Sequence, residues 1–341
     1  MSEELKEVIQ SCDLKVVNFE VPLKPDVTLP SQKRQRFFQN DDAPEFLQGL
    51  GFNLFSLANN HAFDWGDEGF QKTKAAFGDS AFGAGTYDEA YQVKVVDVKG
   101  VKIGFYALSF AAYTGVFDDV ANHEGLGCAY INDLRVNHDI MEAKKHVNYL
   151  FVLPHDGIEY IDVPTPETIA RYHDFIDYGA DGVIAAHPHC PQGWEEYKGK
   201  PIFYSLGNFL FNSKETYNFR ANKPHWYKGL CVVLTINAGQ LSWEVVNTKN
   251  VDNVGIEIDH SEDRIIHNEQ LCFYLSDKEA YNCYFKTKCE KKVQGPAMRV
   301  VEKYVLQNWI NRLRKNTIND NELLILLKND QRRNLLLRSL G

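Results

Sequence analysis

Between about residues 14 and 241 the chain repeatedly offers short apolar runs rich in β-branched and aromatic residues, separated by longer mixed segments. These runs lie at 14–19, 54–57, 93–98, 101–108, 149–153, 182–186, 202–205 and 230–236, and several are closed by Gly or Asn. Runs of that length bounded by turn residues predict strands, and their alternation with longer segments predicts an α/β fold. At 166–178, Ile169, Tyr172, His173 and Ile176 fall near helical spacing and Gly179 follows, which predicts a helix with a C-terminal stop that delivers the chain to the 182–186 strand.

Beyond about Ser242, Asn, Asp and Glu become dense and the apolar residues take helical spacing. A boundary is expected near 245–265, dividing a core of residues 1–250 from a mostly helical extension of residues 251–341. In that extension Val301, Tyr304, Val305, Trp309 and Leu313, then Leu323, Leu324, Leu327 and Leu335 to Leu337, predict amphipathic helices carrying an excess of Arg and Lys.

At 341 residues and 44% hydrophobic, the chain can bury a sizeable core as one large domain with an appendage or as two ordinary ones. Its 37 Lys and Arg against 46 Asp and Glu give a net charge of -9, which excludes a protein held to nucleic acid by phosphate contacts. An anionic substrate would then call for a metal ion. The odd number of cysteines, 7, with no C-x-x-C pair, reads as reduced thiols. The acidic start MSEELKEVIQ lacks the pattern of a secretory signal, and no apolar stretch of about 18 residues occurs, so the chain as given reads as cytoplasmic.

Candidate chemistry gathers where apolar runs end, the place where α/β folds build their sites. Four stretches have this form: Asn18-Phe19-Glu20; Asn59-Asn60-His61 with Asp64; His155-Asp156-Gly157 with Glu159; and His187-Pro188-His189. If the last remains extended, the two histidines point the same way, and Pro188 favours an extended residue before it. Gly157 permits a close backbone approach beside His155. Glu20 could bridge two cations, and Asn60 offers a neutral oxygen beside an imidazole. Each group also has a plain alternative that spacing leaves open: loop histidines, a solvated glutamate, a simple turn at Asn59-Asn60. A mixed Glu, Asn and His set suits Mn, Fe or Zn better than Mg, and two such ions would clamp an anionic ester and acidify a water.

Competing machinery is weak. There is no G-x-S-x-G and no Walker loop, and Gly83-Ala84-Gly85 lacks the third glycine of a dinucleotide fingerprint. Ser205 reads as a strand end and turn, and Cys190 as an incidental or buried cysteine.

In this order, NFExP, ANNHxFDxGxxG, GAG followed by EA, HxGxEY, GADxVIxxHPH and YSLGNFLF resemble the bacterial capsule-synthesis (CapA-like, poly-gamma-glutamate synthesis) family of the calcineurin-like metallophosphoesterase superfamily. The likeness runs from about Asp13 to Phe211. It implies two packed mixed sheets flanked by helices, a four-layer sandwich, with a site for one or two divalent ions at the loop end. By that resemblance Glu20 is the bridging ligand, Asn60, His155 and His187 complete one ion, and His189 serves the other. His61 corresponds to the histidine that protonates the leaving group, with Asp64 orienting it, while Asn59, Glu159 and Asn208 take supporting or substrate-facing roles.

This chain departs from the pattern at Asp156, where the family usually has Trp, and at Ala185-Ala186, where it usually has glycine. The family also begins with a strand ending in Gly-Asp, whose aspartate is a ligand, and here only Met1 precedes the helix-like stretch 2–11. A sequence shortened upstream, a one-ion site and a degenerate site all accommodate that difference, and an upstream anchor would make the protein membrane-associated or extracytoplasmic. The expected function is a metal-dependent hydrolase of an anionic phosphoester in capsule or surface-polymer synthesis, working with that machinery. The alternative is a non-catalytic polymer-binding or assembly protein, which the 13% aromatic content also suits.

Overall fold

The computed structural model describes residues 1–26, 36–110, 125–211, 225–251 and 255–292. The amphipathic helices expected at 298–341, with their basic residues, lie outside the described residues. Among the described residues no helix is long and apolar enough to cross a membrane.

The strands, in chain order, are β1 (Val16–Asn18), β2 (Leu54–Ser56), β3 (Ala81–Phe82), β4 (Ala84–Gly85), β5 (Lys94–Val98), β6 (Val101–Ser109), β7 (Gly127–Cys128), β8 (Tyr149–His155), β9 (Gly182–Ile184), β10 (Trp194–Tyr197), β11 (Lys200–Phe203), β12 (Lys228–Asn237), β13 (Gln240–Val251) and β14 (Gly255–Ile258). Each predicted run overlaps one of them. The largest sheet has the order β10-β11-β9-β8-β6-β5, parallel from β11 through β6 with an antiparallel strand at each edge. A parallel β1-β2-β3 sheet, an antiparallel β12-β13-β14 sheet and a small β4-β7 ribbon complete the set. The fold is α/β, with several sheets flanked by helices.

The unbroken apolar character of β6 and β8 follows from burial on both faces. Ile103, Phe105, Ala107 and Phe151 point into a core shared with β1, β2 and the β12-β14 sheet. Tyr106, Leu108, Leu150 and Val152 point the other way, into a second core under the helices Arg135–Lys144 and Pro166–Asp177. The second helix starts on Thr165, whose hydroxyl accepts from Thr168 N–H at 3.1 Å, with Pro166 in its first turn. Its inward face is Thr168, Tyr172, Phe175 and Ile176, so of the predicted apolar stripe His173 turns outward and pairs with Glu195 at 2.7 Å.

Strand structure continues beyond Ser242, where the sequence suggests helical spacing. β13 pairs with β12 from Gln240 to Lys249 and with β14 from Thr248 to Val251. The dense polar residues there lie on the more exposed side of an antiparallel hairpin, and the two-residue turn at Ala238 (φ 49°) and Gly239 (φ 80°) has the positive angles that such hairpins require. The helical part begins at Glu262–Ser276 and continues with Lys278–Lys292. Leu271, Tyr281 and Phe285 pack on Ile158, Ile161 and Val163, and Tyr284 and Lys288 both bond Asp162 Oδ2, at 2.9 and 2.8 Å. These helices therefore rest on the segment that follows His155.

At that junction the His225 and His267 rings stack, 4.6 Å between centroids and 4° between planes. Burial pushes the His225 imidazole down against the opposing pull of Asp162. Burial, with His225 beside it, pushes His267 down to about 3. Both are thus neutral in the folded chain, whereas in an unfolded chain they take up protons near pH 6.5. The stability they support is complete above about pH 6.5 and is lost as pH falls below it. The urea midpoint is expected to be lower at pH 5.0 than at pH 7.5, and His267→Phe, which keeps a flat ring over His225, is expected to flatten that difference. An unchanged slope in the variant would refute this account of the junction.

Candidate metal centre and acid group

The site lies beyond the carboxyl ends of parallel strands from two sheets. β1 runs on to Glu20 and β2 to Asn59, Asn60 and His61, while β8 ends on His155 and β9 leads to His187, Pro188 and His189. Backbone bonds carry the pairing up to the site: Phe19 N–H donates to Ser56 O at 2.9 Å, Asp156 N–H to Ala186 O at 3.0 Å and Ala186 N–H to Pro154 O at 2.9 Å. Asn59, 1% exposed, ties the two loop ends of the smaller sheet, donating to Phe19 O at 3.0 Å and accepting from His61 N–H at 3.1 Å.

The carboxylate of Glu20 is the centre of the group. Its Oε1 is buried without a hydrogen-bond partner and stands 3.5 Å from His189 Nε2, 3.8 Å from His155 Nε2 and 3.9 Å from His61 Nε2. His155 Nε2 is also 2.9 Å from Asn60 Oδ1 and 3.2 Å from His187 Nδ1. Burial, with His189 and His61 nearby, holds the His155 imidazole well below its usual pKa, so it is neutral. Metal–ligand bonds of about 2.1 Å put neighbouring donor atoms roughly 3.0 to 3.4 Å apart. The separations found here lie close to that range, and an unsatisfied buried carboxylate oxygen beside the neutral His155 ring fits a cation. Glu20, His155 and His187 could hold a metal ion, with Asn60 and His189 alongside.

Supporting residues orient the ligands. His189 Nδ1–H donates to Asn208 Oδ1 at 2.8 Å, and Asn208 in turn donates to Trp226 O at 3.0 Å. Asn18 Nδ2–H donates to His155 Nδ1 at 3.3 Å and fixes that ring in turn. The sequence places Asn18 in a candidate stretch without giving it a role, although it precedes Glu20 by two residues, the spacing that puts side chains on one side of a strand. Phe110 and Trp226, with ring centroids 4.6 Å from His187 and 4.8 Å from His189, were missed and carry no local signal. Glu159 is half-buried in the turn that Tyr160 N–H ties to Pro188 O at 2.7 Å, outside the Glu20, His155 and His187 group. Ser205 is fully buried and its hydroxyl donates to Cys190 O at 2.9 Å, a structural contact.

His61 and Asp64 form a separate pair beside Glu20. His61 Nδ1–H donates to Asp64 Oδ2 at 2.9 Å, and Asp64 is fully buried. That contact fixes the ring and leaves Nε2 facing the cluster, 3.9 Å from Glu20 Oε1.

The extended geometry expected of His187-Pro188-His189 is not found. β9 ends at Ile184, and His187 (φ 109°) and His189 (φ 55°) both occupy the left-handed side of the map. The two imidazoles still reach the Glu20 group, but from a turn, with their planes 50° apart. Side chains alternate predictably only while the strand lasts, and here it has stopped. Residues held in such sparsely populated backbone regions cluster where surrounding contacts fix them for function.

Asp162, His225 and His267 also lie close enough to suggest a metal group. Their rings are stacked and nearly parallel, at 4°. Two imidazoles in parallel stacked planes have lone pairs that do not converge, and Lys288 already occupies Asp162 Oδ2 at 2.8 Å. This cluster is a packing junction.

The family model described as "Bacterial capsule synthesis protein PGA_cap" matches residues 1–213. The capsule biosynthesis protein CapA of Bacillus anthracis is 30% identical over 206 residues, 57% of this chain and 49% of that protein. The PGA biosynthesis protein CapA of Bacillus subtilis (strain 168) is 30% identical over 217 residues, 60% of this chain and 55% of that protein. The chain thus matches about half the length of these relatives. Among solved structures, a hypothetical protein from Thermus thermophilus is similar at a TM-score of 0.46 and 16% identity, covering 71% of this chain and 91% of that one.

Gly157 makes the strained turn possible. At φ 122° it has a conformation that L side chains rarely adopt, and a Cβ there would stand 2.8 Å from Pro188 Cγ. Gly157→Ala is expected to cost about 1–3 kcal/mol of unfolding free energy and to displace His187 and His189. Chemical denaturation measures the first, and a matched Gly199→Ala variant, at an open turn, serves as the comparison. Equal costs at the two positions would sink the claim.

Proposed function

Since the chain belongs to the bacterial capsule synthesis protein PGA_cap family, we propose that it is a metal-dependent hydrolase of an anionic phosphoester in capsule or surface-polymer synthesis. The observation that carries this reading is the unpartnered Glu20 Oε1 among three imidazoles, with a His61–Asp64 pair opening onto the same space.

Glu20, Asn60, His155 and His187 would hold one divalent ion, and Glu20 with His189 a second; the mixed oxygen and nitrogen donors suit Mn, Fe or Zn. Ions there would supply positive charge against the phosphoryl oxygens and acidify the attacking water. The protein's own part is positional and protonic. Asp64 holds the His61 ring by Nδ1 and orients it, so that Nε2–H would give its proton to the leaving oxygen. Asn208 and Asn18 fix the His189 and His155 rings, and the enclosing Phe110 and Trp226 keep bulk water from them. The same rings favour a second reading, a non-catalytic binding cleft for a polymer or an assembly partner of the synthesis machinery.

Metal analysis of the purified chain and hydrolysis of 4-nitrophenyl phosphate with added Mn separate the two. Bound metal is expected to be lost in His155→Ala and His187→Ala. His61→Ala is expected to keep the metal and lose roughly 10²- to 10⁴-fold in kcat. Polymer binding that survives His61→Ala, with no hydrolysis in either form, would establish the second reading instead; no bound metal at all would overturn the first.

A further inference from the structure

On the open side of His61 stands a group that none of the roles above uses. Phe37 and Phe38 are 46% and 51% exposed, although both are large apolar rings. Phe37 sets its ring edge against His61, 5.3 Å between centroids at 79°, and Phe38 does the same against Trp65 at 6.0 Å. These rings are held in place from the acid pair itself. Phe37 N–H donates to Asp64 Oδ2 at 2.9 Å, the oxygen that also accepts from His61, and Trp65 Nε1–H donates to Phe37 O at 2.8 Å. Both peptide groups of Phe37 are therefore fixed by consecutive residues of the His61 segment, which preorganises an exposed aromatic wall next to the proton donor.

The wall also carries charge of the sign that is scarce in this acidic chain. Lys24 Nζ lies 5.3 Å from the Phe38 ring and 5.2 Å from Trp65, and the Arg36 guanidinium lies 4.7 Å from Trp65. Among the described residues no carboxylate forms an ion pair with Lys24. A nearby cation, Lys72, is by contrast occupied by Asp41 at 2.9 Å and Asp26 at 3.5 Å.

We infer that Phe37, Phe38 and Trp65, with Lys24 and Arg36, form the subsite for the leaving-group portion of the substrate, and that this portion is planar or apolar and bears a carboxylate. The inference rests on the proposed phosphoester hydrolysis for its orientation: His61 would face the leaving oxygen, and Phe37 is the exposed ring set against His61. The rings take the apolar part by stacking and edge contact, and Lys24 takes the anionic end.

The test measures binding to the metal-loaded full chain by calorimetry, with methylphosphonate, benzylphosphonate, 4-carboxybenzylphosphonate and 4-(hydroxymethyl)benzoate as probes. Affinity is expected to rise through the three phosphonates in that order. Phe37→Ala is expected to weaken the two benzyl probes about threefold to tenfold and to move methylphosphonate less than twofold. Phe37→Leu should restore part of the loss, and an unchanged thermal midpoint shows that the fold is intact. Lys24→Ala should lower only the increment due to the carboxylate, by about twofold to fivefold.

Phosphonates of equal affinity in the parent protein, or a Phe37→Ala loss shared equally by all three, would overturn the subsite and leave the hydrolase reading standing. Binding of 4-(hydroxymethyl)benzoate that depends on Phe37, with no contribution from the phosphonate group, would uphold the subsite and remove the hydrolase reading. Failure of every probe to bind overturns both.

Discussion

A carboxylate oxygen buried without a hydrogen bond is among the costlier things a folded chain can hold, and at Glu20 Oε1 the arrangement of the surrounding residues is organised round that cost. Three imidazole nitrogens stand 3.5 to 3.9 Å from it, too far for hydrogen bonds and well placed to share a cation with it. His155 is held neutral by burial, so it cannot neutralise Glu20 as an ion pair. A cation shared between Glu20 and the surrounding nitrogens would satisfy that oxygen, and the flanking amides decide how the rings present themselves. Asn208 takes the Nδ1 proton of His189 and leaves Nε2 for Glu20, while Asn18 and Asn60 contact the two nitrogens of His155.

Delivering these groups to one point takes two sheets and one distorted turn. β1 and β2 bring an acid and an amide, and β8 and β9 bring imidazoles, since parallel strands all release their ligands at the same end. Continued as a strand, β9 alone would leave His187 and His189 on one face of the sheet. Left-handed backbone at both histidines folds them back, and the missing side chain of Gly157 leaves the space that Pro188 needs. The turn is then anchored by Tyr160 N–H on Pro188 O. The segment just after it, from Ile158 to Val163, supports the two helices beyond residue 261, so the strain at the site and the docking of the helical part share one stretch of chain.

Much of this was legible in the sequence because the signals were local. Strands buried on both faces show as short apolar runs, and their ends mark Glu20, Asn60, His155 and His187. What was not legible depended on partners remote in the chain. The backbone of His187 is set by Gly157 and by where β9 stops pairing, neither of which Pro188 announces. Of the β12-β13-β14 sheet only β12 was legible; β13 and β14 were hidden because their outward side is polar, and polarity with irregular spacing reads as helix or loop until the hairpin turn at Ala238-Gly239 is recognised. His225 and His267 meet only through the docking of a helix, and a proximity that suggests metal binding is undone by the angle between rings, which no sequence pattern encodes.

Asp64 Oδ2 links the chemistry to the surface. One fully buried oxygen accepts from His61 Nδ1 and from Phe37 N–H, so the ring that would give up a proton and the wall beside it are positioned by the same atom. When His61 is protonated, its bond to Asp64 strengthens as a charge-assisted contact. When it is neutral, the Phe37 N–H bond bears more of the task of satisfying that oxygen. The two donors therefore hold one carboxylate oxygen from two directions, and they tie the backbone of Phe37 to the residue that fixes His61. Were a leaving group to seat against Phe37 as inferred, its binding and the positioning of the proposed proton donor would be coupled through Asp64, which is the economy expected when remote contacts with a substrate are used to order the reacting groups.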